Sequence, residues 1–287
     1  MQVHHLHLRD GGRLAWRESG AGAPLLFVHG WSVDGSLFSR QMAALSSTFR
    51  VICLDLRGHG LSDAAPQAGV ALLADDVQEL LTRLGLRNVI AVGWSLGAMV
   101  LWHLLSRERL AQISGLVTVD MSPMIHNTPD WQLGLMDGRD YDKATGATTA
   151  MTGNWPKMVN QFVPRIFSPE FAQTNPHIVN DVARLAERGD VATLAAIWHS
   201  MVDQDFRDDL GRIQVPALVA YGANSQLYHA QTAQFVARAL PVSDLVEFTR
   251  SGHAPHVEEP DQFNQAIEVF ARGVSAQKTM NTKTATP

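Results

Sequence analysis

Cysteine is nearly absent from this chain: Cys53 is the only one. A single thiol excludes an intrachain disulfide framework. It lies in the apolar run Val51-Ile52-Cys53-Leu54 and reads as a buried core residue rather than a reactive group. Long hydrophobic runs are missing too, and none approaches the ~18–20 residues that span a bilayer. The opening MQVHHLHLRD has neither an apolar h-region nor a cleavage pattern. These absences point to a cytoplasmic protein without a membrane partner. No basic run stands out and the net charge is −5, so nothing argues for a nucleic-acid partner. Internal repeats are also lacking. His4, His5 and His7 alternate with Leu6 and Leu8, which suits an edge strand with exposed histidines better than a metal site. Asp137, Asp140 and Asp142 lack the spacing of a calcium loop and read as a solvated turn.

What is present is a large apolar complement. At 287 residues and 46% hydrophobic composition, the chain can bury one sizeable core. Short apolar runs alternate with helical patterns through the first half. Leu25–Val28, Val51–Leu56, Asn88–Val92 and Ser114–Val119 read as strands. Gly35–Ser47, Ala71–Leu84 and Leu96–Leu105 read as the helices between them. Such alternation predicts an α/β fold, a mostly parallel sheet with helices on both faces.

The rhythm stops between Ser122 and Asp209, where helical pieces such as Ile178–Arg188 and Val191–Met201 replace strands. It resumes with strands Ala217–Tyr221 and Asp244–Phe248 and helices Ala230–Leu240 and Gln262–Arg272. The expected organisation is a core of residues 1–121 and 210–273, a helical cap insertion at 122–209, and a disordered polar tail at 274–287. Trp131, Met136, Met151, Trp155, Met158, Trp198 and Met201 either line an apolar pocket under that cap or pack it onto the core.

One stretch carries chemistry: Gly93-Trp94-Ser95-Leu96-Gly97, between a strand and a helix. A serine in G-x-S-x-G on a sharp strand-to-helix turn is a candidate nucleophile. The plainer alternative is a serine capping a helix. A serine nucleophile needs a base, because its hydroxyl is weak at neutral pH. His253, just after the last strand, emerges at the same carboxyl edge of a parallel sheet as Ser95. Its neighbour His256 reads as a partly exposed loop residue.

Four ordered motifs resemble the α/β-hydrolase fold superfamily. They are His29-Gly30-Trp31, Asp55-Leu56-Arg57-Gly58-His59-Gly60-Leu61-Ser62, the Ser95 pentapeptide and Gly252-His253. The resemblance implies an oxyanion hole from the backbone N–H groups of Leu96 and Trp31. It makes Asp55–Ser62 a structural turn tied by Arg57 and His59. It also implies a third group, an acid, usually after the strand that is here Ala217–Tyr221. This chain has Tyr221-Gly222-Ala223-Asn224-Ser225 there, with no carboxylate. Some members of the superfamily carry the acid one strand earlier, where Asp120 stands. Asp120 is therefore the expected orienting acid, with Asn224 as the alternative.

The implied activity is hydrolysis of a small or medium carboxylic ester or lactone through an acyl-enzyme, needing no metal or organic cofactor. The resemblance leaves two others open: a cofactor-free dioxygenase acting on an N-heteroaromatic substrate, and a nearly inactive ligand sensor. Serine in place of an aspartate nucleophile argues against dehalogenase and epoxide hydrolase chemistry.

Overall fold

The structure is a computed structural model that describes residues 2–107 and 110–284. Eight strands form one sheet in the order β1-β2-β4-β3-β5-β6-β7-β8. They are β1 (Gln2–His7), β2 (Arg13–Ser19), β3 (Ala23–Val28), β4 (Phe49–Asp55), β5 (Val89–Trp94), β6 (Ile113–Val119), β7 (Ala217–Gly222) and β8 (Ser243–Phe248). Pairing is antiparallel for β1–β2 and β2–β4 and parallel elsewhere. β4 and β5 are buried along nearly their whole length because helices cover both sheet faces, which is why they read as continuous apolar runs. Cys53 sits fully buried in β4.

The helices of the first half are α1 (Ser39–Leu45), α2 (Val70–Arg83) and α3 (Leu96–Arg107). The segment read as one helix from Gly35 opens instead as a 3₁₀ turn, Gly35–Phe38, where the Asp34 carboxylate accepts from Ser36 N–H at 2.8 Å. The right-handed rule for parallel crossovers puts α1 on one face and α2 and α3 on the other, and α2 and α3 pack against each other. Every residue from Leu96 to Trp102 is buried, because α3 is enclosed between sheet and neighbours.

Helices α4 (Tyr141–Gly153), α5 (Trp155–Phe162), α6 (Pro169–Thr174), α7 (Pro176–Glu187) and α8 (Val191–Val202) lie between β6 and β7. Sharp N-terminal signals mark them: Asp140, Asn154, Ser168 and Asp190 each accept a backbone N–H from the first turn. Their buried residues, including Met151, Val159, Val182, Leu194 and Ile197, join the same hydrophobic core as the sheet. Each such side chain contributes roughly 1.5–3 kcal/mol on burial. The seam also has polar ties: Ala65 N–H donates to Thr193 Oγ1 and Val70 N–H to Ser200 Oγ, each at 3.0 Å.

The chain closes with α9 (Ala230–Ala239), α10 (Pro255–Glu258) and α11 (Pro260–Thr284). Two local readings need correction. β2 is missing from the strands that patterning picks out, because Arg13, Arg17 and Glu18 dilute its apolar signal; Leu14, Ala15 and Trp16 are nonetheless buried. The tail from Val274 is not unstructured, since α11 runs on to Thr284. No glycine or proline interrupts Ser275–Thr284, and alanine, glutamine, lysine and methionine sustain a helix there. Residues 285–287 of that expected tail lie outside the described residues. Among the described residues, no helix is long and apolar enough to cross a membrane.

Candidate active site

The sheet order reverses between β3 and β5, and a crevice at the carboxyl ends of the strands is expected there. Ser95 follows β5 with φ +53°, the left-handed region that a non-glycine residue enters only under constraint. The constraint is the tight join of β5 to α3. A Cβ on Gly93 would lie 2.5 Å from the Gly97 carbonyl oxygen, and one on Gly97 would meet the Val28 carbonyl carbon at 2.7 Å. Gly97→Ala is accordingly expected to destabilise the fold by about 1–3 kcal/mol, measurable by urea unfolding, because backbone rather than a flexible side chain must give way. Ser95 N–H donates to Val119 O at 3.0 Å and so fastens the turn to the end of β6.

Asp120 directly follows β6, also with positive φ, at +42°. It is buried, and its Oδ2 lies 2.7 Å from His253 Nδ1. The same oxygen accepts the Ser225 hydroxyl at 2.7 Å. Leu227 N–H and Tyr228 N–H both point at Ser225 Oγ at 3.3 Å, which turns the hydroxyl proton toward Asp120. Asn224 faces elsewhere: its carboxamide donates to Thr249 O at 2.9 Å. The structure thus brings His253 to Asp120, and the loop after β7 contributes a serine hydroxyl to that pair. The sequence signal for Ser225 was its place beside the missing carboxylate, but nothing in the sequence says which way its hydroxyl points.

His253 is held from its other side. Trp94, the residue before Ser95, donates its indole N–H to His253 O at 2.7 Å. The Ser95 hydroxyl itself bonds Met121 Sδ at 3.9 Å, and Tyr228 OH donates to the same sulfur at 3.4 Å. A thioether is a weak acceptor, so the serine loses little on leaving it for a better partner.

The turn after β3 is pinned by two buried histidines. His29 Nδ1–H donates to Gly30 O at 2.7 Å, and its Nε2 accepts Leu56 N–H at 2.9 Å. His59 Nε2 accepts Ser32 N–H at 3.0 Å. Trp31 lies between these anchor points. Leu96 is the first residue of α3, so its amide has no carbonyl one turn earlier in the helix to bond. Arg57 pairs with Asp76 at 2.7 Å and with Asp10 at 2.6 Å, a structural role as expected.

His256 differs from its reading. It is fully buried among Phe38, Trp94 and Phe263, and among the described residues neither ring nitrogen has a hydrogen-bond partner. Burial, with a smaller push from His253, lowers its pKa to about 3. Burial likewise lowers His29 to about 4 and His59 to about 3. All three bind protons more readily unfolded, near 6.5, so their stabilisation is present above that pH and lost as pH falls through it. Glu258, pushed up to about 7 by burial, acts in the opposite sense between about 4.5 and 7, as do Asp76, raised to about 6, and Asp55, both likewise by burial. The three histidine shifts together outweigh these, so Tm is expected to fall between pH 6.5 and 4. His256→Phe should flatten that slope in a thermal-melt series, because it removes one buried proton acceptor that has no partner.

Ser95, His253, Trp31 and Tyr228 line one cavity of about 110 Å³. Its walls are largely apolar, with Met158, Phe162, Trp198 and Met201 contributed by the inserted helices. Trp131 and Met151 do not line it; Trp131 packs on Phe235 and Met151 in the core. Trp31 meets Trp155 edge-on and Phe162 and Trp198 at a tilt, at 5.3–5.5 Å between ring centres, and its indole donates to Leu194 O at 2.9 Å. Asp137, read as part of a solvated turn, instead reaches this cavity beside Arg139 and Arg165. Among the described residues no cluster of His, Cys, Asp and Glu is arranged to hold a metal.

Residues 25–266 match the model of the alpha/beta hydrolase family. The chain belongs to that family. It is 30% identical over 259 residues to a pimeloyl-[acyl-carrier protein] methyl ester esterase of Vibrio cholerae serotype O1, covering 90% of this chain and 98% of the relative. Among solved structures, it resembles an esterase from Exiguobacterium antarcticum with a TM-score of 0.85 at 23% identity, covering 93% and 98% of the two chains. The enol-lactonase of Burkholderia xenovorans LB400 aligns with a TM-score of 0.80 at 23% identity, covering 93% and 99%. At these identities the structural matches speak for the fold, a mostly parallel α/β sheet with flanking helices.

Proposed function

We propose that this protein is a serine hydrolase that cleaves small or medium carboxylic esters or lactones through an acyl-enzyme. The observation that carries the reading is the buried 2.7 Å contact between His253 Nδ1 and Asp120 Oδ2. A carboxylate at Nδ1 keeps the proton there, so Nε2 carries the lone pair of a general base. In the reaction Ser95 rotates from Met121 to His253 and loses its proton to Nε2 as Oγ attacks the carbonyl carbon. Backbone N–H groups of Trp31 and Leu96 hold the oxyanion. His253 then protonates the leaving alcohol, and water, activated by the same imidazole, releases the acid. Asp120 stabilises the imidazolium in both steps. The ester- and lactone-cleaving names among the relatives support this chemistry.

The test is steady-state hydrolysis of p-nitrophenyl esters of increasing acyl length, together with mass spectrometry after treatment with an alkyl phosphonate. The expected result is turnover, a length optimum set by the cavity, and one phosphonyl group on Ser95. No turnover and no adduct would overturn the reading. Oxygen uptake with a hydroxylated N-heteroaromatic would then favour the dioxygenase, and thermal stabilisation by a ligand without turnover would favour a sensor.

A further inference from the structure

The cavity beside Ser95 is apolar along most of its wall, yet it also holds three charged side chains: Asp137, Arg139 and Arg165. Two guanidinium groups share one carboxylate. Arg139 takes most of it, with Nε 2.9 and 3.0 Å from the two Asp137 oxygens and a further contact from its NH2. Arg165 is less engaged. Its NH1 lies 3.7 Å from Asp137 Oδ2, beyond hydrogen-bond length. Its NH2 donates to Gln226 O at 3.2 Å, which holds the guanidinium in place. Burial alone would raise the Asp137 carboxyl, but the hydrogen bonds and charge of Arg139, and then the charge of Arg165, hold it below its ordinary value. Asp137 therefore stays ionised, and the trio carries one net positive charge.

This charge is close to the chemistry. Asp137, Arg139 and Arg165 line the same cavity as Ser95, Tyr228 and His253. The Tyr228 ring lies 5.7 Å from the His253 ring. A hydrocarbon acyl chain has no use for a half-buried guanidinium at its side, and desolvating that cation without a partner is unfavourable. An anionic group on the substrate would supply the partner, and a guanidinium's planar fork matches a carboxylate.

Resting on the hydrolase reading of the same cavity, we propose that Arg165, positioned by the Gln226 carbonyl and backed by Arg139, is a carboxylate subsite. The preferred substrates are esters that carry a second, ionised carboxyl group. That group belongs either to the acyl part, as in half-esters of dicarboxylic acids, or to the alcohol part, as in O-acyl hydroxy acids.

The test compares kcat/KM for charged and neutral members of two pairs. One pair is monomethyl adipate and dimethyl adipate. The other is O-butyryl-3-hydroxypropanoate and its methyl ester. In one pair the charged ester is expected to win by roughly tenfold, the scale of one charge-assisted hydrogen bond. The winning pair assigns the carboxylate to the acyl or the alcohol side. Arg165→Gln should shrink the charged-to-neutral ratio about tenfold, and Arg165→Lys should keep part of it. Neutral esters equal or better in both pairs would overturn the subsite, as would an Arg165→Gln variant that slows both members alike. A melting curve of each variant checks folding. If wild type cleaves no ester at all, the hydrolase reading fails, and the subsite is decided by calorimetric titration with adipate. Binding that Arg165→Gln weakens sustains it; no binding by wild type overturns it.

Discussion

Ester turnover by Ser95→Ala is expected to fall by about 10⁴-fold or more, down to what the oxyanion donors and binding alone provide. The loss should appear in kcat, since the alanine leaves the cavity and its walls in place. The same variant should take up no phosphonate. Its stability should not suffer, because the hydroxyl's bond is a 3.9 Å contact with the sulfur of Met121. Relief of the left-handed backbone will not accompany the change, as alanine resists φ +53° as serine does. Steady-state kinetics and a melting curve on the same preparation separate these effects. A Ser95→Ala enzyme that kept wild-type kcat would remove Ser95 from the chemistry.

Asp120→Asn is expected to lower kcat by roughly 10³–10⁴-fold with little change in KM. An asparagine there can present its amide N–H to His253 Nδ1, stabilising the tautomer whose proton sits on Nε2, where a base is needed. It also withdraws the negative charge that would face the imidazolium. The control is built into the fold: Asn224→Ala should stay near wild type, since that carboxamide serves Thr249 O. Ser225→Ala should fall between the two. Its hydroxyl donates to the same Asp120 oxygen that His253 contacts, so its loss frees the carboxylate to turn away from the imidazole. A shift in the acid limb of the kcat/KM–pH profile of Ser225→Ala, with recovery in Ser225→Thr, marks a positioning role that simple loss of folding would not produce. If Asn224→Ala proved as damaging as Asp120→Asn, the acid would be misassigned.

The sequence was most informative where chemistry depends on chain order. Ser95, Asp120 and His253 each follow a strand of one parallel sheet, so their arrival at one edge follows from the β-α rhythm and needs no knowledge of side-chain direction. Partners set by rotamer were a different matter. Ser225 donates to Asp120, and Arg165 reaches the cavity, only because of torsions that no spacing encodes. Asp137 looked like one of several acids in a polar turn until folding brought Arg165, from beyond α5, beside it. His256 reads as partly exposed because it stands in the loop after the last strand, shortly before Glu258 and Glu259, whereas Phe38 and Trp94, distant in the chain, enclose it. Strand β2 escaped for a related reason: Arg17 and Glu18 find Asp55 and Arg50 as partners, and their charges hide the pattern of a strand.

Trp31 has consequences for anyone wishing to re-engineer specificity. Its backbone is anchored at the turn beneath the site, while its indole grips Leu194 O and its ring meets three aromatic residues of the inserted helices. The insertion is thus not an interchangeable module laid over a finished catalyst. A chimaera that imports a foreign insertion without a hydrogen-bond acceptor for this indole will inherit a tilted amide at the turn, and its rate will drop with substrates that still fit. Libraries aimed at new substrates are better confined to Met158 and Met201, which line the cavity and are not among the aromatic residues that hold the Trp31 ring.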